Sequence, residues 1–227
     1  VVVTPPVGYA DGNDTEGKIS VIALGAGGET LMAVRQVYAV DYTDPRGTFV
    51  VTEGNMSDQN GTVFYFDRYM KAHSGGYEMA NDNHTPGNVR QDMWMFGDKI
   101  VFLCQNGGRN GGDGQVVVCD AHTMKAERIY NNLVFDRPVG TNNTGCAQHV
   151  AVVGSKAFIQ YADVAMEHNS AIRVFDLESV TLSSEDIPGT YGKFAVDGAW
   201  KGRMWVSRGS VVAGLAKSVV FIDPATE

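Results

Sequence analysis

Short apolar runs, each closed by an acid, recur along this chain. One is Val116-Val117-Val118-Cys119-Asp120. The others are Val63-Phe64-Tyr65-Phe66-Asp67, Ile172-Arg173-Val174-Phe175-Asp176 and Val219-Val220-Phe221-Ile222-Asp223. Residues 18–23 form a fifth, with Ala23 where the others carry Asp. β-Branched and aromatic residues dominate these runs, so they predict strands. The closing acids Asp67, Asp120, Asp176 and Asp223 lie 53, 56 and 47 residues apart. A repeat of about 50 residues that carries strands and no helices is the signature of a β-propeller blade. The runs also lack alternation, as in Ile100-Val101-Phe102-Leu103. Strands covered on both faces have that pattern, whereas a sandwich with one wet face alternates.

Turn residues divide each repeat into four antiparallel strands, A to D. The best-marked repeat predicts A over 93–96, a turn at Gly97-Asp98, B over 99–105, a Gly/Asn loop over 106–114, C over 115–120 and D over 126–131. Gly, Asn and Asp at these breaks tolerate the positive φ of hairpin turns. The next repeat reads A over 149–153, B over 156–161, C over 171–176 and D over 180–185. In the last, A covers 194–199, B 203–208 and C 218–223, with 209–216 as the B–C loop. Upstream, A covers 37–42, B 48–52, C 62–67 and a poor D 76–79. The first repeat keeps C over 18–24 and D over 29–34, and residues 1–4 read as a remnant of its B.

At about 50 residues per blade, 227 residues supply four to five blades. The expectation is an all-β chain with one domain over 1–227: a β-propeller of four-stranded antiparallel blades, truncated at both ends, an incomplete piece of a seven-bladed ring. An irregular open β-sandwich is the alternative. Uncovered edges on such a piece favour aggregation, dimerisation or early melting. The repeat register places Val118, Phe175 and Phe221 as buried residues of equivalent third strands.

Charge narrows the partners. The net charge is −8 with no Lys/Arg cluster, which argues against a nucleic-acid backbone. No segment approaches the ~20 apolar residues of a membrane-spanning helix. The chain opens on Val1-Val2-Val3-Thr4, without an initiator Met or a basic leader, and reads as a processed or cut piece. Cys104, Cys119 and Cys146 match no zinc spacing, and an odd number is no disulfide framework. Cys104 and Cys119 fall out of register on neighbouring strands of one hairpin and read as buried core residues.

Two sequence elements carry a resemblance. Thr52-Glu53-Gly54-Asn55-Met56 is followed by Asn60-Gly61-Thr62-Val63, and a strand-Asp-x-x-Thr-x-Lys element spans residues 118–125. Over roughly residues 47–227 the chain resembles the YncE-like, surface-layer-type β-propeller proteins, in particular the DUF5074-type proteins of Bacteroides relatives. It departs from them at Thr52, where Asn is usual, and at Ala23. The resemblance implies a propeller fold and export to the periplasm or cell surface, with a lipid anchor in the full-length protein. It also implies that capture of a corrinoid is among the functions such propellers perform. It carries over no corrinoid-binding residue to this chain.

Candidate sites follow from propeller geometry. Loops entering strand A and loops between B and C share one rim around the channel mouth, the default binding surface. The rim candidates are Arg90, Gln91 and Asp92 before one A strand, Gln148 and His149 before the next, Lys193 before the last, and Asn106 and Arg109 in a B–C loop. The B–C loops are long and polar, whereas the turns on the opposite face span two to four residues. Residues 107–112 read as a flexible hairpin loop in preference to an anion cradle, because no Lys-Ser/Thr follows. Residues 11–16 pack oxygens as calcium loops do, but lack the spacing of one. The five histidines form no i, i+4 pair. No metal is expected; a zinc site assembled from distant loops is the less favoured alternative. Glycosylation-type triplets start at Asn55, Asn60, Asn83 and Asn142 and read as chance. Trp94, Trp200 and Trp205 are expected in inter-blade packing, ahead of a sugar platform.

The reading is a non-enzymatic exported propeller that needs no cofactor and binds a small molecule (a corrinoid or glycan) or a surface protein at its rim. The alternative is a propeller-fold lyase or hydrolase using His149 as general base with Asp92 and Lys193. No nucleophile-elbow motif supports it.

Overall fold

The computed structural model describes residues 16–38, 40–131, 146–162, 169–193, 204–215 and 217–226. The chain divides into two compact units, Val1–Thr48 with Tyr65–His73, and Phe49–Phe64 with Ser74–Glu227. The first contains the hairpin of β1 (Glu16–Leu24) and β2 (Thr30–Tyr38). Its side chains Ile22, Leu24, Leu31 and Met32 are exposed. The predicted remnant at 1–4 and the oxygen-rich segment up to Thr15 lie outside the described residues.

Strands β3 (Thr48–Val51), β4 (Val63–Phe66) and β5 (Ala72–Ser74) form a three-stranded sheet in that order. The expected strand D at 76–79 is instead the helix α1 (Gly76–Ala80). The reason is the tight turn after β4. Asp67 Oδ1 accepts the N–H groups of Tyr69 and Lys71, each at 2.9 Å. The chain reverses there, so the returning strand is complete by Ser74.

The second unit holds a stack of antiparallel sheets. The first has the order β6 (Asn88–Phe96), β7 (Lys99–Gly107), β8 (Val116–Asp120), β9 (Ala126–Tyr130). The second has β10 (Cys146–Val153), β11 (Lys156–Ala162), β12 (Asn169–Asp176) and β13 (Thr181–Asp186), with β14 (Gly192–Lys193) beside β12. The third has β15 (Trp205–Ser207), β16 (Ser210–Gly214) and β17 (Val219–Ile222). The four-stranded antiparallel repeat is therefore present twice in full. These sheets establish the all-β class; ring closure and blade number go beyond the described residues.

The last repeat is shifted from its expected reading. The sequence predicts B over 203–208 and a loop over 209–216, but β15 is a first strand and β16 fills most of that loop. Arg208 and Gly209, at φ 51° and 81°, form the two-residue turn between them. This matches Gly97-Asp98 and Gly154-Ser155, where a glycine at positive φ opens the corresponding turn. The expected strand at 194–199, with Trp200, lies outside the described residues.

The sheets pack face to face. Val101, Leu103, Val116 and Val118 of the first meet Val150, Ile159, Ala171 and Phe175 of the second. Phe158, Ile172 and Val174 on the other face of the second meet Val211, Ala213 and Ile222 of the third. The middle sheet is thus covered on both faces, which is why its strands read as continuous apolar runs. Each such Phe, Ile or Leu contributes ~1.5–3 kcal/mol by leaving water. Cys104 and Cys119 are buried and free, and Cys119 pairs with Ile100, out of register with Cys104 as expected.

The repeated acid is a turn device. Asp120 Oδ1 accepts the N–H of His122 at 3.1 Å and that of Thr123 at 2.7 Å. Asp176 Oδ1 accepts the Ser179 N–H at 2.7 Å, and Asp223 Oδ1 that of Ala225 at 2.9 Å. The backbone and hydroxyl of Ser179 hold the Asp176 carboxyl below the usual carboxylate range. The residue after the acid then bonds back to the first turn, Ala121 N–H to Asp98 carbonyl and Leu177 N–H to Ser155 carbonyl, both at 2.7 Å.

Aligning these acids corrects the buried triple. Val118 and Phe175 are buried, but Phe221 is 74% exposed. Counting back from the acid, Phe175 matches Cys119 and Ile222, which are buried, whereas Phe221 matches Val118 and Val174. One step along a strand changes the face. Phe221 lies on the side of the third sheet away from the core. Trp205, on the same side, is 51% exposed, and Trp94 is 39% exposed. The expected burial of these two tryptophans does not occur.

Candidate functional site

Three chain segments converge at one end of the first four-stranded sheet: the loop from Thr52 to Gly61, the stretch from α1 into β6, and the loop between β7 and β8. Glycines shape the first. Gly54 and Gly61 lie at φ 76° and 74°, and a Cβ on either would sit 2.2–2.3 Å from backbone atoms on the facing side of the same loop. Asn55 caps the bend, its Oδ1 accepting from the N–H groups of Ser57 and Asp58 at 2.9 Å.

Asparagines then tie the segments together. Asn88, fully buried at the start of β6, donates from Nδ2 to the Asn55 carbonyl and to Asn60 Oδ1, each at 2.9 Å. Its Oδ1 accepts from Asn106 at 3.0 Å. Asn60 Nδ2 donates to Thr85 Oγ1 at 2.8 Å and to the Asn110 carbonyl at 2.7 Å. Gln91 Nε2 donates to Glu53 Oε1 at 2.7 Å. These bonds replace water contacts on loops that would otherwise move, so they build a rigid platform.

The loop between β7 and β8 is pinned rather than flexible. Gly108 N–H donates to Asn131 Oδ1 at 3.1 Å, Asp113 N–H to the Thr85 carbonyl at 2.9 Å and Gly114 N–H to the Pro86 carbonyl at 3.0 Å. Within 107–112 the amides of Gly108 and Gly112 are thus engaged by the protein itself, the latter by the Arg109 carbonyl at 3.1 Å, and are not offered to an anion.

α1 adds two contacts. The Tyr77 hydroxyl donates to Asp113, whose other oxygen lies 2.8 Å from Nδ1 of the exposed His84. Burial, and then the hydrogen bond to Asp113, push the Tyr77 phenol up, so it stays neutral. Glu78, the third residue of the helix, reaches Arg90 in β6, with Oε1 4.0 Å from Nη2. The helix C-terminus is fixed by Asn81, which donates to the Tyr77 and Met124 carbonyls and accepts from Ala126 N–H.

The candidates named from sequence separate into two groups. Arg90, Gln91 and Asp92 are within β6 rather than in a loop, and Arg90 is 2% exposed. Gln148 and His149 are within β10, Gln148 buried and His149 half-buried. Lys193 is in β14, paired with Asn169; its side chain lies outside the described set. Asn106 belongs to the asparagine network, and Arg109 is exposed at the loop tip. The structure therefore brings Arg90, Gln91, Asn106 and Arg109 to one end of the first sheet. Asp92 instead joins sheets: its Oδ2 accepts the Val150 N–H at 3.3 Å and its Oδ1 that of Met93 at 2.9 Å. Asp92 is the carboxylate of the alternative His149–Asp92–Lys193 cluster, whose Lys193 side chain lies outside the described set.

Sequence reasoning missed Tyr77, Glu78, His84, Asn88 and Asp113. Only the clustering of Asn with Gly at 54–61 and 106–114 signalled that these loops would lock together. Among the described residues no group of three or more His, Cys, Asp or Glu side chains is arranged to hold a metal ion. No helix among them is long and apolar enough to cross a membrane.

No curated protein matches the sequence. The sequence profile of one family, described as a domain of unknown function (DUF5074), matches residues 46–227. That match covers the asparagine platform, α1 and all three stacked sheets. The chain belongs to the DUF5074 family.

Proposed function

We propose that the chain is a piece of an exported, YncE-like surface-layer β-propeller that binds a ligand or partner at the loop end of its sheets. The observation that carries this reading is the asparagine network. It fixes three long segments at one end of the first sheet, while the opposite end has the two-residue turn Gly97-Asp98 and the five-residue turn 121–125 closed by Asp120. Rigid, polar, concentrated loops lower the entropic cost of binding. The face-to-face stacking of successive antiparallel sheets supports the propeller, and membership of the family supports the comparison with surface propellers. A corrinoid, a glycan or a surface protein is the partner class, consistent with the resemblance of the sequence to such proteins.

The test is calorimetry against cobalamin, other corrinoids and glycans. The residues to change are the exposed ones of the platform, Arg109→Ala with His84→Ala, rather than the buried Arg90 or Gln148. Binding is expected to fall at least about tenfold, a loss of about 1.4 kcal/mol, while Asp98→Ala at the opposite end leaves it unchanged. Binding that tracks Asp98, or that survives the platform change, places the site elsewhere.

A second reading, a propeller-fold hydrolase or lyase, is favoured by one observation. Asp113 holds one nitrogen of an exposed histidine, the arrangement by which a carboxylate orients a general base. His84→Asn separates the two readings, since the second expects turnover to be lost with the ligand still bound, whereas the first expects binding itself to weaken.

A further inference from the structure

Arg90 differs from every other arginine among the described residues. Its Nε, Nη1 and Nη2 are all enclosed and none makes a hydrogen bond. The side chain is 0% exposed. A buried charge without hydrogen-bonding partners is costly, so its presence here needs a cause.

Its neighbours do not supply one. Burial pushes the Cys104 thiol up to about 12, against the pull of Arg90, so no thiolate faces the guanidinium. The Tyr77 phenol is neutral and committed to Asp113. Glu78 approaches to 4.0 Å without a hydrogen bond, and its Oε2 is itself buried and unpartnered. Of this pair only Glu78 reaches solvent, at 22% exposure. The planar fork of a guanidinium accepts a carboxylate through two parallel hydrogen bonds, and neither is made here.

The backbone is bent to place Arg90. The pairing of β6 with β7 shifts on both sides of it, between Asn88 and Arg90 and between Arg90 and Asp92. Val89 sits at φ 55°, a region that β-branched residues avoid. Bulges and strained residues of this kind gather at sites that aim a side chain at a ligand.

We infer that the platform takes a small carboxylate-bearing ligand, with Arg90 gripping the ligand carboxylate and Glu78 giving way to it. Glu78, the member of the pair that reaches solvent, is the side chain that has to turn aside for the ligand. This inference deepens the reading of the loop end as a binding surface and rests on it.

The test is calorimetry at low ionic strength with acetate, succinate, inorganic phosphate and, as a neutral isostere, acetamide. Wild type, Glu78→Gln, Arg90→Gln and Arg90→Met are compared. Acetate or succinate is expected to bind and acetamide not. Glu78→Gln, by removing the internal competitor, is expected to tighten carboxylate binding at least about tenfold. Both Arg90 variants are expected to lose it while the melting curve of Arg90→Met stays at or above that of wild type. Carboxylate binding that Glu78→Gln leaves unchanged overturns the inference even if an Arg90 variant fails to fold. So does equal binding of acetamide, tighter binding of phosphate than of either carboxylate, or absence of any carboxylate binding. A corrinoid or neutral glycan that binds through Arg109 and His84 and ignores Arg90 overturns the inference and leaves the reading of the loop end standing.

Discussion

Two arginines are buried in successive sheets of the same unit, and their surroundings are opposite. Arg173 in β12 is 3% exposed. Its Nε donates to Asp186 Oδ1 at 2.8 Å, and its guanidinium lies 5.6 Å from the centre of the Tyr161 ring. The Tyr161 hydroxyl donates to the same oxygen at 2.7 Å. Arg90 in β6 is equally buried, yet its guanidinium makes no hydrogen bond. Removing an ion from water costs several kcal/mol at either place. In the second sheet a carboxylate, a phenol and an aromatic face offset that cost, so Arg173 is part of the fold. In the first sheet nothing of that strength does, so Arg90 has to be explained by something other than stability.

The largest expected effect breaks the well-made side of the comparison. Asp186→Ala leaves Arg173 buried without its carboxylate and Tyr161 without its acceptor. A loss of about 3–5 kcal/mol in urea denaturation is expected. A loss below 1 kcal/mol would mean that the Arg173 site is no better satisfied than the Arg90 site, and the contrast would disappear.

A smaller effect sharpens the other side. Gly61→Ala puts a Cβ 2.2 Å from the Thr52 carbonyl oxygen at a positive φ. The variant should lose about 1–3 kcal/mol, seen as a lower melting temperature. The loop Thr52–Gly61 is held to β6 by Asn88 and to the neighbouring loop by Asn60. Ligand binding at the platform should therefore weaken with it, although residue 61 itself is expected to touch no ligand. Unchanged binding would separate the network from the site.

The same contrast shows what the sequence could and could not reveal. The acids Asp67, Asp120, Asp176 and Asp223 were legible because their work is local, each closing a turn two to four residues ahead. The strands of the two complete sheets were legible because burial on both faces leaves long apolar runs. α1 was not, since five residues after Ser74-Gly75 carry no helical period to detect. The last repeat slipped because Arg208 takes a positive φ that its residue type does not announce, and because the Val211-Val212 core of β16 is short and flanked by Ser210, Ala213 and Gly214. Burial of Arg90 was hidden for a different reason. An arginine between Val89 and Gln91 reads as a surface residue, and only the register shifts of β6, a product of tertiary packing, turn it inward. The exposure of Trp205 and Phe221 was equally invisible, because it depends on which sheet faces are covered.

The central claim is that Arg90 is kept for a ligand and not for the fold, and the stability of Arg90→Met tests it most directly. Methionine fills a similar length with apolar atoms, and the Glu78 carboxylate left behind still touches water. Replacing a poorly compensated buried charge in this way is expected to leave stability unchanged or to raise it by up to about 4 kcal/mol in urea denaturation. A loss of about 3 kcal/mol or more, the size expected for Asp186→Ala, would contradict the account and make Arg90 a structural ion like Arg173.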